Sequence, residues 1–466
     1  MPLILSGNVA SATAAAYDVA NSCRFEDSGS EEMSRSIAST GSNTTWTVSA
    51  WVKRCEFGQS SSIFGTGNTG ANDDNRMLFI GGQDQVQCTY YDSGYTYDVK
   101  TSAVLRDSSA WYHLCVLFDT TENTAADRVK IYINGTYQSD LATAVYPNED
   151  ASFNAGDTSY THYVNDMGGR NIRGSHYIAE LVYIDGTALA VTNFGEFDSS
   201  SPTIWKPKDV EDLSSSKGVN GIYLDFEDSA NLGNDVWGGT NFTETNLDAT
   251  NQATDTPTNN FATLNPLHKS QAALTYSEGN TVVNNFPGSW NSTAGTIGVT
   301  TGKWYWEAKV VAATSNGFFG ICTESLDHSD TTPYDENGVI VWFQGGRKTV
   351  DGTDTESHFA TYTADDILGV ALNLDDDEVT FYKNNVVTPA SSSEVSLTSN
   401  FTGKFVLPFI VGNTSSNPVG FKMNFGNPAY ANTSDAADEN GYGAFEYAPP
   451  SGYLALCTKN LGSDGG

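Results

Sequence analysis

Strand-length segments in which apolar residues occupy every second position occur in the same order at two places in this chain. The clearest are RVKIYINGTYQ at 128–138 and EVTFYKNNVVT at 378–388. Their alternating apolar residues are Val129, Ile131 and Ile133 in the first copy and Val379 and Phe381 in the second. Because side chains alternate across a strand, this spacing puts the apolar residues on one face. The pattern predicts antiparallel sheets with one buried and one solvated face.

Another strand precedes each copy. WYHLCVLFD has Tyr112, Leu114, Val116 and Phe118 on one face, and ILGVALNLD has Leu368, Val370, Leu372 and Leu374 on one face. The pairs Asn134-Gly135 and Asn384-Asn385 follow the repeated strands, and such pairs tolerate the positive φ angles of tight hairpin turns. Each copy therefore predicts strand, turn, strand, turn and strand, which is one supersecondary unit used in two related sandwich domains.

Length and composition agree with an all-β chain of several domains. The 466 residues are enough for two to four domains at about 100–200 residues each. Gly, Ser, Thr, Asn and Asp separate the apolar runs about every ten residues, a spacing typical of short strands joined by turns. No long segment has apolar residues at helical spacing.

The chain is strongly acidic, with 23 Lys and Arg residues against 56 Asp and Glu residues and a net charge of −33. Nucleic acids and anionic membranes gain affinity from cations, so neither is an expected partner. No run reaches the roughly 18 apolar residues of a membrane span, and the first residues do not resemble a secretory signal. The expectation is no nucleic acid binding and no membrane insertion.

The six cysteines do not form a metal-binding pattern. None lies in a CxxC pair, and no histidine is spaced to complete a zinc site. Three of them, Cys115, Cys322 and Cys457, lie in strand-like runs, which predicts buried free thiols. A bridge between Cys23 and Cys55 is the alternative. Free thiols fit synthesis in a reducing cytoplasm.

Two regions carry family resemblances. TWTVSAWVKR, SSAWYHLCVLFDTT and RVKIYINGTYQ resemble a laminin-G or concanavalin-A-like lectin domain over roughly 20–200. GKWYWEAKVV, FFGICTE, DDILGVALNLDDDEVTFYKNN and FVLPFIVG resemble a SPRY domain over roughly 265–430. Both families are curved antiparallel β-sandwiches. The order from YDVANSCRFED to YAPPSGYLALCTKNL resembles virion structural proteins of tailed bacteriophages, particularly marine ones.

The predicted fold is all-β, with two concanavalin-A-like antiparallel β-sandwich (jelly-roll) domains in tandem and a polar linker between them. The predicted segments are an N-terminal arm at 1–19, a lectin sandwich at 20–230, the linker at 231–264, a SPRY-like sandwich at 265–430 and a C-terminal tail at 431–466.

The phage resemblance implies a non-enzymatic structural protein on the exterior of the virion, at the tail or the head periphery, made in the host cytoplasm. It implies a tail fibre or receptor-binding role, with attachment to host-surface glycans. The implied partners are other virion proteins and further copies of the chain, with a trimer favoured. The alternatives are a purely architectural decoration or fibre-base protein and, less favoured, a glycan-cleaving enzyme.

The sequence does not predict catalysis. Glucanases with this fold carry an ExDxxE motif that supplies paired carboxylates, and this motif is absent. The nearest fragment is Glu196-Phe197-Asp198, which is followed by serines. The six histidines are scattered, and His113 is expected to be packed or hydrogen-bonded within its strand.

Laminin-G-like domains often hold calcium, which takes oxygen ligands from loops. The candidates here are NDDN at 72–75, with Asp73 and Asp74, and DDDE at 375–378. The alternative for each is a solvated acidic turn, and no other cofactor is predicted.

The candidate ligand-binding residues are four tyrosines in CTYYDSGYTYD, namely Tyr90, Tyr91, Tyr95 and Tyr97. Sugar rings stack on aromatic faces, and the tyrosine hydroxyl adds a hydrogen bond. Tyrosine is also common in strands and at protein interfaces. A glycan site, a subunit interface and plain strand packing therefore all remain open. In the second domain, TPYDENGVIVWFQGG offers Tyr334, Trp342 and Phe343, of which Trp342 is predicted to lie in the core.

Overall fold

The computed structural model describes residues 4–5, 17–68, 73–268, 270, 272–312, 316–389, 394–413 and 419–464. The chain divides into two compact units. The first unit comprises residues 14–258, and the second comprises residues 259–466 together with 1–13. Strands make up 42% of the chain and helices 5%, so the predicted all-β class is confirmed.

The first unit contains eighteen of the described strands. After β1 (Ile4–Leu5), which belongs to the second unit, they are β2 (Ser22–Phe25), β3 (Glu32–Ser36), β4 (Thr45–Arg54), β5 (Ser61–Gly67), β6 (Asp73–Ile80), β7 (Gln85–Asp92), β8 (Tyr95–Val104), β9 (Trp111–Asp119), β10 (Val129–Ile133), β11 (Thr136–Tyr137), β12 (Leu141–Val145), β13 (Thr161–Val164), β14 (His176–Asp185), β15 (Gly195–Phe197), β16 (Trp205–Pro207), β17 (Ile222–Leu224), β18 (Thr243–Thr245) and β19 (Gln252–Ala253). Short 3-10 helices lie at Ala125–Asp127, Asn154–Gly156, Val191–Asn193, Glu211–Ser216 and Ala249–Asn251.

The described strands of this unit form two eight-stranded sheets. Sheet 1 has the order β11-β10-β9-β4-β14-β2-β19, with β17 also paired to β14. Sheet 2 has the order β12-β8-β7-β6-β5-β13-β3-β18. Strands β15 and β16 form a separate hairpin. All pairs within both sheets are antiparallel, as the sequence pattern predicted.

The core between the two sheets contains the predicted apolar faces. Val129 and Ile131 of β10 are buried in it, as are Leu114, Val116 and Phe118 of β9. The turn after β10 has positive φ angles at both predicted positions, 47° at Asn134 and 73° at Gly135. The repeated sequence pattern is therefore confirmed as strand, turn and buried face in this unit.

Sheet 1 also carries a second apolar layer on its other face. In β4, Trp46 and Val48 point into the core, whereas Trp51 packs in the outer layer. In β14, a register shift between Ala179 and Val182 lies at Glu180, whose φ is 50°. Because of that bulge, the apolar side chains of β14 divide between the two faces, with Ile178 and Leu181 in the core and Val182 and Ile184 in the outer layer.

The stretch 231–264, which we predicted to be a linker, instead contributes to both units. Strand β18 pairs with β3, and β19 pairs with β2. Leu232 and Phe242 lie in the core of the first unit, while Phe261 and Leu264 are buried in the second. A few apolar anchors in an otherwise polar stretch are enough to fix it to the sandwiches, and composition alone does not reveal them.

The described strands of the second unit, besides β1, are β20 (Tyr276–Ser277), β21 (Val282–Val283), β22 (Asn291–Ala294), β23 (Ile297–Gly298), β24 (Lys303–Ala312), β25 (Gly317–Thr323), β26 (Val339–Phe343), β27 (Lys348–Val350), β28 (Thr353–Thr355), β29 (Ile367–Asn373), β30 (Glu378–Lys383), β31 (Val386–Thr388), β32 (Glu394–Ser396), β33 (Val406–Gly412), β34 (Gly420–Asn424) and β35 (Leu454–Ala455). Helix α1 spans Thr458–Asp464.

These strands also form a sandwich. Sheet 3 has the order β20-β21-β34-β24-β29-β30-β31, with β32 on β30 and β35 on β24, and sheet 4 has the order β22-β33-β25-β26-β27-β28. The core between them contains the predicted Leu368, Val370, Leu372, Val379 and Phe381. Trp342 is fully buried there, as predicted. The turn at Asn384 and Asn385 has φ angles of 48° and 66°.

Both predicted terminal segments add strands to the second unit. Ile4–Leu5 pairs in parallel with β23, and the rest of the predicted arm through residue 16 lies outside the described residues. The predicted tail at 431–466 supplies β35, which pairs in parallel with β24, and buries Phe445. Among the described residues, no helix is long and apolar enough to span a bilayer.

Candidate functional site

The four candidate tyrosines lie on strands β7 and β8 of sheet 2, but they do not share a face. Tyr97 is fully buried in the core, where its hydroxyl donates to Asn75 Oδ1 at 2.8 Å. Tyr90 packs on Phe153, with ring centroids 4.9 Å apart, and its hydroxyl donates to Asp73. Burial raises the pKa of both phenols. Plain packing therefore accounts for these two tyrosines.

Tyr91 and Tyr95 lie on the opposite, outer face of sheet 2. They are cross-strand partners with ring centroids 5.3 Å apart and an interplanar angle of 73°. The Tyr95 side chain is 56% exposed. The guanidinium carbon of Arg76, on β6, lies 5.3 Å from the centre of the Tyr91 ring. This edge-to-face pair presents an aromatic surface to solvent.

Strand register places further functional groups beside this pair. Across β6, β7 and β8, the paired positions form three rows. The rows are Asp74, Tyr91 and Tyr95; then Arg76, Thr89 and Asp98; then Phe79, Gln87 and Lys100. Aromatic rings, amides and charged groups therefore meet on one sheet face, although they come from three separate sequence segments.

A groove of about 220 Å³ opens on this face. Its lining includes Ser60, Arg76, Phe79, Gly81, Gly82, Gln83, Gln85, Gln87, Tyr95 and Lys100. Gly81 allows close approach, because a Cβ there would lie 3.1 Å from Gln87 Oε1. The groove thus combines ring faces with amide donors and acceptors. We call it the sheet 2 groove.

The charges in the sheet 2 groove are compensated within the protein. Arg76 Nε lies 2.9 Å from Asp74 Oδ2, and Lys100 Nζ lies 4.0 Å from Asp98 Oδ2. Gln87 donates to Asp98 Oδ1 at 2.5 Å, which fixes the orientation of its amide. These contacts hold the polar groups in place before any ligand arrives.

The two calcium candidates on β6 already have protein partners. The Asp74 side chain is fully buried and forms ion pairs with Arg76 and with Arg170, whose Nε lies 2.9 Å from Oδ1. Asp73 accepts hydrogen bonds from the hydroxyls of Tyr90 and Tyr160 and from the side-chain amide of Asn154. Asn72, the first residue of this candidate loop, lies outside the described residues.

The second acidic candidate, at 375–378, lies in the turn between β29 and β30. Asp376 accepts from Asn373 Nδ2 at 2.8 Å and lies 3.6 Å from Lys303 Nζ. Throughout the described ranges, no cluster of three or more His, Cys, Asp or Glu side chains could hold a metal ion. The carboxylates of Asp73, Asp74 and Asp376 are thus held by hydrogen bonds or ion pairs within the protein.

The remaining chemical candidates are also in structural contacts. Glu196 and Asp198, on and after β15, each lie 3.4 Å from Lys206 Nζ. His113 is fully buried, 2.8 Å from Ser49 Oγ, and burial lowers its pKa to about 3. All six cysteines are buried free thiols, as predicted, so the alternative bridge between Cys23 and Cys55 is absent.

A second aromatic surface lies on sheet 4 and includes Tyr334 and Phe343, which the sequence analysis named beside Trp342. Trp290, Tyr334 and Phe343 are partly exposed and pack around the buried Phe318. The guanidinium carbon of Arg347 lies 4.7 Å from the Phe343 ring centre and 5.5 Å from that of Phe318. Arg347 also pairs with Asp354 at 2.9 Å. Tyr334, Phe343 and Arg347 come from the single segment 334–347, whereas Trp290 and Phe318 come from earlier segments that only the fold brings beside them.

Comparisons with known proteins agree with the two sandwich regions. Residues 27–170 match a laminin G family described as the concanavalin A-like lectin/glucanases superfamily, and residues 303–428 match the SPRY domain. A search of curated proteins gave no match.

Three solved structures are among those found by a structural comparison. The SPRY domain of human HERC1 is 14% identical, over 34% of this chain and 96% of that chain, with a TM-score of 0.28. Stonustoxin is 17% identical, over 35% of this chain and 27% of that chain, with a TM-score of 0.28. A human SPRY domain is 10% identical, over 32% of this chain and 92% of that chain, with a TM-score of 0.24. Residues 27–170 are thus similar to concanavalin A-like laminin G domains and residues 303–428 to SPRY domains, in tandem order.

Proposed function

We propose that this chain is a non-enzymatic adhesion protein that binds glycans in the sheet 2 groove. The observation that carries the proposal is the exposed Tyr95 ring beside oriented amides and charge-compensated cations. Tyr95 offers an apolar ring to the C–H face of a sugar, and Gln85 and Gln87, which line the groove, can hydrogen-bond hydroxyl groups. A concanavalin A-like domain followed by a SPRY domain fits a binding role.

The favoured ligand is a neutral glycan. The chain has a net charge of −33, which repels anionic ligands at long range. Arg76 and Lys100, the two cations of the groove, are paired with Asp74 and Asp98. A carboxylated or sulfated sugar would have to compete with these carboxylates, whereas hydroxyl groups can use the amides without displacing them.

The setting we propose is the exterior of a tailed-phage virion, at the tail or head periphery, as the sequence resemblance implied. Each groove is small, so attachment would depend on many weak sites on a multimer, for which a trimer is the favoured state. Other virion proteins would be the assembly partners. The proposal includes the absence of catalysis. The contacts of Glu196 and Asp198 with Lys206 support this part of it.

The test is binding of the full chain to an array of neutral and acidic glycans, compared between wild type and Tyr95→Ala. Losing one ring contact of about 1 kcal/mol should weaken binding five- to tenfold. Tyr137→Ala is the matched control, because Tyr137 is also an exposed strand tyrosine, 39% exposed, but lies on β11 of sheet 1. It should bind like wild type.

Equal binding by Tyr95→Ala and wild type would remove the groove from the proposal. The architectural alternative predicts two other results, since an exposed tyrosine also suits a subunit interface. No glycan would bind to the wild-type chain, and Tyr95→Ala would lower the mass of the assembly measured by light scattering.

A further inference from the structure

A lysine and an aspartate meet in the interior of the first unit, away from the sheet 2 groove. Lys53 lies near the end of β4, in the middle of sheet 1, and Asp255 follows β19. Lys53 Nζ lies 2.6 Å from Asp255 Oδ2, and both side chains are 0% exposed. The two residues are 202 positions apart in the chain. Their contact therefore fixes the last segment of the unit to its central strand.

The surroundings of the pair orient it and keep water out. Trp111 Nε1 donates to the other carboxylate oxygen, Asp255 Oδ1, at 2.9 Å. Lys53 Nζ lies 5.8 Å from the centre of the Tyr177 ring. Tyr177, Trp111 and Cys55 belong to the apolar layer that covers the outer face of sheet 1. The amine and the carboxyl group thus face each other in a dry, aromatic pocket with one orientation.

We propose that Lys53 and Asp255 become joined by an intramolecular isopeptide bond. A proton moves from Nζ to Oδ2 along their hydrogen bond, and the neutral amine attacks Cγ. The Trp111 N–H stabilises the negative charge that develops on Oδ1. A second proton moves from nitrogen to Oδ2, the Cγ–Oδ2 bond breaks, and one water leaves. The ammonium and carboxylate together contain every atom of the amide and the water, so no co-reactant is required.

Three physical factors favour this condensation here. Holding the reacting groups in contact replaces an encounter in solution with an intramolecular step, which raises the effective concentration of the amine by orders of magnitude. In solution, the large excess of water favours hydrolysis of amides. Exclusion of water from the pocket removes that excess. Burial of an ion pair among aromatic rings is also costly, whereas the product is neutral.

The other ion pairs of the described residues lack one of these features. The buried pairs Arg35–Asp235 and Arg54–Asp84 use guanidinium groups, which stay protonated and are poor nucleophiles. The other lysines in ion pairs have side chains that are 21–35% exposed, so water reaches them. Among these pairs, a buried amine against a buried carboxyl group occurs at Lys53 and Asp255.

The test is the mass of the wild-type chain, measured intact and after trypsin digestion. The proposal predicts a mass one water below that of the sequence. It also predicts that trypsin fails to cut after Lys53, so that residues 36–54 remain joined to residues 218–269. In a denaturing gel, the cross-linked chain should run ahead of Lys53→Arg, because a loop of about 200 residues stays closed when the chain unfolds.

Lys53→Arg keeps the positive charge but should have the full mass. This control matters because an Asp-Gly step, such as Asp185-Gly186 or Asp351-Gly352, loses the same water when it cyclises. Peptide mapping separates the two reactions even if Lys53→Arg does not fold. A wild-type chain with its full sequence mass, or a water loss that maps to an Asp-Gly step, would overturn the proposal and leave an ordinary buried ion pair.

Discussion

Glu307 fixes the C-terminal segment of the second unit, and its replacement by glutamine gives a quantitative test of that role. The side chain is fully buried on β24. Its Oε1 accepts from the Tyr305 hydroxyl at 3.0 Å and from the Tyr447 N–H at 2.9 Å. Its Oε2 accepts from the Glu446 N–H at 2.9 Å and from Asn424 Nδ2 at 3.2 Å. Four donors therefore converge on one carboxylate.

Glu307→Gln replaces one of these oxygens with an NH2 group. Two of the four donors then face another donor. Asn424 cannot turn away at no cost, because its amide also donates to the Ala444 carbonyl and accepts from the Gly426 N–H. At about 1–3 kcal/mol for each buried donor left unsatisfied, the variant should lose about 2–6 kcal/mol of unfolding free energy at pH 8.

The loss should grow as the pH falls. Burial raises the pKa of Glu307 from 4.5 to about 7, against the opposing effect of its hydrogen-bond donors. A raised pKa means that the folded state binds the proton more tightly than the unfolded chain. Its stabilisation is complete below pH 4.5 and is lost as the pH rises through 7. Glutamine does not titrate and lacks this pH-dependent stabilisation. The difference in unfolding free energy between wild type and Glu307→Gln should therefore increase by up to about 3 kcal/mol as the pH falls from 8 to 4.5.

The assay is denaturant unfolding of the full chain, with hydrogen exchange at the amides of residues 446 and 447 as the local measurement. Glu394→Gln is the matched control, because Glu394 is an exposed strand carboxylate of the same unit. It should unfold like wild type. Unchanged exchange at both amides in Glu307→Gln, together with an unchanged unfolding free energy, would refute this reasoning.

Two further predictions concern the interiors of the units. Burial lowers the pKa of His113, His162 and His176 to about 3. The stabilisation from these neutral histidines is present above pH 6.5 and is lost as the pH falls, so the denaturant midpoint of the first unit should drop between pH 7 and pH 4.5. An unchanged midpoint would contradict this. Gly320→Ala would place a Cβ 2.1 Å from the Ile340 carbonyl oxygen, so we expect a destabilisation of about 1–3 kcal/mol or more in thermal unfolding. Gly345→Ala, whose nearest contact would be 3.7 Å away, should stay close to wild type, and equal melting temperatures for the two variants would exclude the clash.

The sequence was sufficient to predict the repeated strands and their buried faces. Period-two alternation identified Val129 and Ile131 as core residues, and the Asn-Gly turn beside them has the expected positive φ angles. These features depend on neighbours within about ten residues, so they are visible without the fold. The burial of Trp342 was also predicted.

The candidate site was only partly predictable, because it depends on strand register. CTYYDSGYTYD identifies a tyrosine-rich hairpin but not which rings face outward. A register shift at Tyr90 and Tyr91 gives these adjacent residues their cross-strand partners, Tyr97 and Tyr95. Gln87 and Arg76 look like ordinary strand residues in the sequence. They become part of a groove only when three strands are aligned.

The polar stretch at 231–264 shows a second limit of sequence reasoning. Its composition is that of a linker, yet Phe242 is buried and Thr243–Thr245 adds an edge strand to sheet 2. Isolated apolar residues carry no periodicity. The strand partners of this stretch, such as Met33 of β3 opposite Glu244 of β18, are about 200 residues away in the chain.

The most direct test of the adhesion proposal is a crystal structure of the full chain with a neutral oligosaccharide selected from the array. The proposal predicts a sugar ring against Tyr95, with hydroxyl groups within hydrogen-bond distance of Gln85 or Gln87. A sugar bound on any other surface, or the absence of binding by every neutral glycan tested, would contradict it.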